Sequence, residues 1–339
     1  TILALIHHQG TRLPHRRVEL YRLCVEALAE TWNLARSLSG RPIDLWLGER
    51  RLDERTVVGW LAPVAFWTHR ERPGGLLTRE ELIAQLTASP SRLTPDLASD
   101  FVDLAREQMG LLVERGQGQF AFVHLTFQEY LAARYVAAQE DPFALLRPHL
   151  HDPRWREVVL LTAGILGDFS PAHATRFVRA ILEARSPCER LLYRDLRLAL
   201  RVLADDVPVE EALAEEMVGR AARVLRSNRY AKLREEIAFS LGALAHGPYE
   251  PLAVPPLLSA LRDESWNVRR AAAEALGRLG RPSDPLLRRL LCLLGYRWYL
   301  PWNLPCLPRT LLARRRGYDQ EVFRAPWNLM ETEHAVRST

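Results

Sequence analysis

The chain has 339 residues, 48% hydrophobic and 26% charged, which fills a core and excludes both a chain disordered throughout and a bundle of membrane spans. Its formal charge of +5 is unevenly placed: residues 1–280 carry 36 basic and 36 acidic side chains, and residues 281–339 carry 10 and 5. The one lysine, Lys232, stands in Tyr230-Ala231-Lys232-Leu233 without preceding glycines, so these residues contain no phosphate-cradling GxxxxGK[ST] loop.

In chain order, the first periodic segment is residues 17–38. Leu20, Cys24, Leu28, Trp32 and Ala35 recur there at steps of three or four, the stripe of an amphipathic helix. Pro14 precedes it, and Ser39-Gly40-Arg41-Pro42 ends it. The apolar run at 1–6 is too short for a signal peptide and reads as a helix continuing from upstream. A second block shows helical patterns over residues 53–67, 78–86 and 95–110, the middle one opened by a Thr78-x-x-Glu81 capping box. Two short β-type runs then flank Gly116-Gln117-Gly118 and read as a hairpin. Three helices followed by a hairpin is the order of a winged helix. A second capping box, Thr126-Phe127-Gln128-Glu129, is expected to open another helix with Phe127, Leu131 and Tyr135 on one face. Strand alternation places His124 on the face of Phe120 and Phe122, the setting of a core histidine.

Beyond residue 150 the pattern is helical and self-similar. Positions 163, 200, 241 and 276 align at intervals of 37, 41 and 35, the period of helix-pair repeats that cannot bury their apolar faces alone. The clearest copy, from Val254-Pro255-Pro256-Leu257 to Leu276-Gly277-x-Leu279-Gly280, resembles a HEAT repeat; this resemblance implies that Asp263 and Arg269 hold the turn between its two helices. After Pro285 no helical period survives. Trp298, Trp302, Trp327 and the run Arg314-Arg315-Arg316 read as a poorly ordered or partner-dependent tail, with capping of the solenoid as the alternative.

The string Phe122-Val123-His124-Leu125-Thr126-Phe127-Gln128-Glu129-Tyr130-Leu131-Ala132-Ala133 resembles the F-x-H-x-[ST]-F-Q-E-[YF]-x-A-A signature that ends the winged-helix domain of NACHT-type STAND NTPases, relatives of NOD-like receptors. Leu13-Pro14-x2-Arg17-x-Glu19-Leu20-Tyr21-x2-Cys24 is similar to the helical region that follows the nucleotide core in that family. The resemblance implies that His124 contacts the β-phosphate of ADP in the inactive form. A histidine suits that task because it donates a hydrogen bond to phosphate. Phe122, Thr126, Phe127, Gln128 and Glu129 are expected to be packing and capping residues. No cofactor is expected within these residues. ADP or ATP with Mg is expected for the full-length protein, whose P-loop and Mg-binding acidic strand would lie upstream of Thr1.

Other candidates read as structural. Val202-Leu203-Ala204-Asp205-Asp206 reads as a solvated helix terminus. His149, His151 and Asp152 read as a loop before Pro153 and not a metal site, and no Ser-His-Asp or Cys-His motif is present. Cys24, Cys188, Cys292 and Cys306 show no CxxC spacing, which fits a reducing, cytoplasmic setting. The apolar run at 290–294 is far below the roughly 18 residues a membrane-spanning helix needs. Residues 45–120 hold 9 Arg against 11 acidic side chains, the wrong sign for DNA, which leaves nucleic acid to a third reading through the tail.

The expected fold is mainly α: a helical segment at 1–42, a winged-helix domain with its signature helix at 43–140, an α-solenoid of HEAT-like repeats at 141–285 and a tail at 286–339. The expected function is the regulatory and sensor portion of a NACHT-type signalling NTPase, in bacteria a defence or stress system. Its expected partners are a protein ligand on the repeat surface, its own NTPase core and further copies on activation. The alternative is a stand-alone HEAT scaffold without nucleotide coupling.

Overall fold

A computed structural model describes residues 14, 16–26, 46–47, 50–88, 93–244 and 247–279. The N-terminal helix beyond Glu26, the loop at 39–42, Cys292, Cys306 and the tail read at 286–339 lie outside the described residues. Among those described, the molecule is mainly helical.

Helix α1 (Arg17–Glu26) buries Val18, Cys24 and Val25. Strands β1 (Trp46–Leu47) and β2 (Arg50–Arg51) form a small antiparallel pair. Helix α2 (Glu54–Glu71) begins where Asp53 accepts the Thr56 N–H at 2.8 Å, a side-chain cap that satisfies one of the orphan donors of the first turn. Strand β3 (Leu77–Thr78) leads into α3 (Arg79–Ala88). The box expected at Thr78 forms: Glu81 N–H donates to Thr78 Oγ1 at 3.2 Å, and Thr78 N–H donates to Glu81 Oε2 at 3.0 Å. Helix α4 (Pro95–Glu107) is capped by Thr94 with Pro95 in its first turn. Strands β4 (Leu112–Gly116) and β5 (Gln119–Phe122) form the hairpin, with Gly118 at φ 71° in its turn.

The sheet order is β3-β5-β4, all antiparallel, with Leu77 opposite Phe120. Strand β3 between α2 and α3, laid beside β5, the last strand of the hairpin, completes the winged-helix topology. Its two residues are too few to show alternation, so only the structure reveals it.

Helix α5 (Leu125–Ala137) is the centre of the molecule. Phe127 to Ala133 are all buried, as are Val136 and Ala137, because α2, α1 and the first long solenoid helix cover it on different sides. Phe66 of α2 stacks on Tyr135 with ring centres 4.8 Å apart.

The repeats follow. Helix α6 (Pro142–Leu146) and two 3-10 turns precede α7 (Arg156–Phe169). Then come α8 (Pro171–Leu182), α9 (Glu189–Leu192), α10 (Arg194–Ala204), α11 (Glu211–Ser227), α12 (Ala231–Gly242), α13 (Glu250–Ala260) and α14 (Trp266–Leu279). The aligned positions 163, 200, 241 and 276 fall in α7, α10, α12 and α14, one per repeat and in the second helix each time. Successive second helices touch, most closely at Gly242, where an added Cβ would lie 2.4 Å from the Cβ of Ala275.

Candidate functional site

His124 ends strand β5 and begins helix α5. Its backbone is extended (φ −144°, ψ 144°), and its side chain caps the helix, Nδ1 accepting the Thr126 N–H at 3.2 Å. Thr126 Oγ1 lies 2.8 Å from the same nitrogen. A backbone N–H can only donate, so Nδ1 is the acceptor and the ring proton sits on Nε2. The exposed ring therefore turns an N–H donor outward. Beside it Leu125 is 57% exposed, large for an apolar side chain.

Two expectations are corrected here. His124 is not a core histidine: Phe120 and Phe122 are buried, but strand alternation stops at Phe122 and the chain turns before His124, which is exposed. Thr126 and Glu129 do not form a capping box either. The helix starts at Leu125, so Thr126 lies inside its first turn and Glu129 faces inward, buried.

Gln128 also turns inward. Its Nε2 donates to His69 Nδ1 at 3.3 Å, and His69 Nε2 donates to the Arg154 carbonyl at 3.1 Å. One signature side chain thus ties α5 to α2 and, through His69, to the turn before α7. Burial pushes the His69 pKa down, which fits a neutral ring accepting on one side and donating on the other. The turn at Gly75 closes over Gln128: a Cβ there would lie 3.4 Å from Gln128 Oε1. Sequence reasoning missed His69, since a histidine on an otherwise apolar helix face carries no spacing signal.

Glu129 belongs to a charged junction of four helices. Arg17 of α1 pairs with Glu157 of α7 and, at 3.4 Å, with Asp205 at the end of α10. Burial first, and then the charge of Glu157, push the Glu129 carboxyl up to about 7, while Arg17 opposes the shift. Burial also raises Asp205. The stretch expected to be a solvated helix terminus is therefore partly buried and ion-paired, because α1 packs over it. Val18 of α1 fits against Gly164 of α7, where an added Cβ would meet the Val18 Cβ at 3.1 Å.

The remaining candidates separate. His149 stacks on the fully buried Trp155, ring centres 4.2 Å apart. His151 instead reaches Asp195 Oδ1 at 2.7 Å and Ser186 Oγ at 3.0 Å, both through Nε2. A proton relay needs the two ring nitrogens to face opposite partners, so this Ser-His-Asp grouping is a structural tie. Among the described residues no group of three His, Cys, Asp or Glu is placed to hold a metal, and no helix is long and apolar enough to cross a membrane. Arg269 Nη1 donates to the carbonyls of Asp263 and Glu264 at 2.7 and 2.9 Å, whereas the Asp263 carboxylate pairs with Arg234 of the preceding repeat.

A winged-helix unit whose last helix packs against a helical solenoid defines a class, a two-part, mainly helical module. Residues 17–136 match the winged helix-turn-helix domain C-terminal to NACHT, and residues 221–292 match HEAT repeats. The first match runs from α1 to the end of α5 and the second includes α12 to α14. Together they support a NACHT C-terminal region in which a winged helix is followed by HEAT repeats. No curated protein and no solved structure matches the chain.

Proposed function

We propose that this chain is the regulatory portion of a NACHT-type signalling NTPase, in which the repeats sense a protein ligand and the winged helix reports that event to the nucleotide. The observation that carries the reading is the cap at His124. Because Nδ1 is occupied by the Thr126 N–H, the ring is held in the one tautomer whose Nε2–H points outward from an exposed position. That donor fits a phosphate oxygen of ADP, and the exposed Leu125 beside it fits a face of the NTPase core. Bound nucleotide with Mg would supply the state that is read. His124 would prefer one such state, and the differential affinity would shift the population between closed and open forms. Release of the closed form would let copies assemble, in a defence or stress response.

The test uses the full-length protein with its NTPase core. His124→Ser keeps a capping oxygen and removes the ring donor, so it should fold as the parent does, retain less ADP after purification and signal more without ligand. Unchanged ADP occupancy together with unchanged basal output would overturn the reading. A HEAT scaffold without nucleotide coupling predicts no retained ADP in either protein.

A further inference from the structure

The two best-formed repeats leave an open groove of about 550 Å³ between their turns. Arg226 lines it from the last turn of α11, Arg229 from the α11–α12 turn, and Arg262 from the α13–α14 turn. Its floor is Arg234, held by both oxygens of Asp263 and by donation to the Asn228 carbonyl at 2.5 Å. Asp263 is therefore neutralised from within. The side chains of Arg226 and Arg262 make no hydrogen bond or ion pair with any described residue. Arg229 lies over the ring of its neighbour Tyr230, 4.7 Å from the centroid, and has no carboxylate partner there either. Three guanidinium groups thus line a groove whose two lining carboxylates, Asp263 and Glu264, both already pair with Arg234.

We infer that this groove binds an acidic, extended segment of a protein partner. A carboxylate matches the planar fork of a guanidinium, and the pairing gains from a floor already fixed in place. Nucleic acid fits less well. Glu264, whose side chain is 84% exposed, stands on the rim. A phosphodiester chain carries a charge at every step and cannot avoid Glu264, whereas a peptide can place a neutral residue opposite it. The charge balance of residues 1–280, 36 against 36, offers no wider basic field for a polyanion. The inference rests on the proposed role of the repeats as the ligand-sensing part and gives that role a location and a chemistry.

The probe is a fluorescein-labelled peptide with alternating glutamates, compared with its glutamine counterpart and with single-stranded and duplex oligonucleotides, by anisotropy on the purified chain. The glutamate peptide alone should bind, more weakly as salt rises. Arg226→Gln with Arg262→Gln should weaken it roughly tenfold or more, while Arg176→Gln, an exposed site on α8, should not. Thermal melting checks that the variants fold, and either single variant serves if the double one does not. The inference is overturned by absence of binding, by equal binding of the glutamine peptide, by preference for an oligonucleotide, or by loss of binding only when Arg314, Arg315 and Arg316 are replaced by Gln. Any of these leaves the ADP test at His124 untouched, because that test contains no peptide.

Discussion

Arg234 donates through Nε and Nη2 to the two carboxylate oxygens of Asp263, at 2.8 and 2.9 Å, and so bolts one HEAT repeat to the turn of the next. The two side chains are only 5% and 9% exposed. Arg234 aligns with Arg269 one period on, and both reach turn carbonyls, but only Arg234 has the following repeat's aspartate among the described residues. Taking away one half of a buried pair leaves the other charged and unpaired, at a cost of about 3–5 kcal/mol. Arg234→Ala should therefore destabilise the chain by that order in urea titrations and raise hydrogen exchange in α12 and α14 first. Arg234→Lys should recover only part, since an ammonium cannot reproduce the fork. A loss below about 1 kcal/mol would mark the pair as equivalent to a surface contact.

The same two helices make a sharper geometric prediction. At Gly242 an added Cβ would lie 2.4 Å from the Ala275 Cβ and 3.0 Å from its Cα, so the obstacle is close to the backbone and cannot swing aside. Gly242→Ala should cost about 1–3 kcal/mol through overpacking, and Ala275→Gly in the same chain should restore part of it. Gly277, in α14, has no heavy atom within 4 Å of its would-be Cβ. Gly277→Ala should instead stabilise by roughly 0.5–1 kcal/mol, because alanine has less freedom to lose on folding. Melting temperatures shifted in opposite directions support this packing; equal shifts refute it.

These relationships differ in how far the amino-acid order announces them. The apolar period of α2 to α4 and the Gly116-Gln117-Gly118 turn make the winged helix readable, and the recurrence from Arg234 to Arg269 makes the repeats readable. The partner of Asp263 is not readable, because an offset locates equivalent residues without saying that a contact crosses from one repeat to the next. His124 is instructive in another way. Thr126 and Glu129 satisfy the spacing of a capping box, and a pattern cannot tell that a ring nitrogen two residues earlier has already capped the helix. Once the start moves to Leu125, Gln128 and Glu129 rotate from the surface into the core, and their polar ends must find partners across other helices. Gln128 finds His69. Glu129 finds a junction in which Arg17 is shared with Glu157 and Asp205.

That sharing gives stability a pH dependence of definite sign. The Glu129 carboxyl titrates at about 7 in the folded chain against an ordinary value of 4.5. Between those two values the folded chain holds a proton that the unfolded chain has released, so this group lowers stability as pH rises through the window. Below 4.5 both states are protonated and the penalty vanishes; above 7 it is complete, with an upper size of about 3 kcal/mol. Asp205, also raised by burial, acts in the same direction. Glu129→Gln keeps the shape and removes the titration. Its stability should equal the parent's near pH 4.5, exceed it increasingly up to about pH 7, and stay above it by a constant amount beyond. Arg17→Ala should act oppositely, with its largest loss above pH 7, where Glu129, Glu157 and Asp205 are left without their shared cation. Urea titrations at fixed ionic strength across this range decide the matter, and parallel curves for the parent and Glu129→Gln would show that the carboxyl titrates as it does in water.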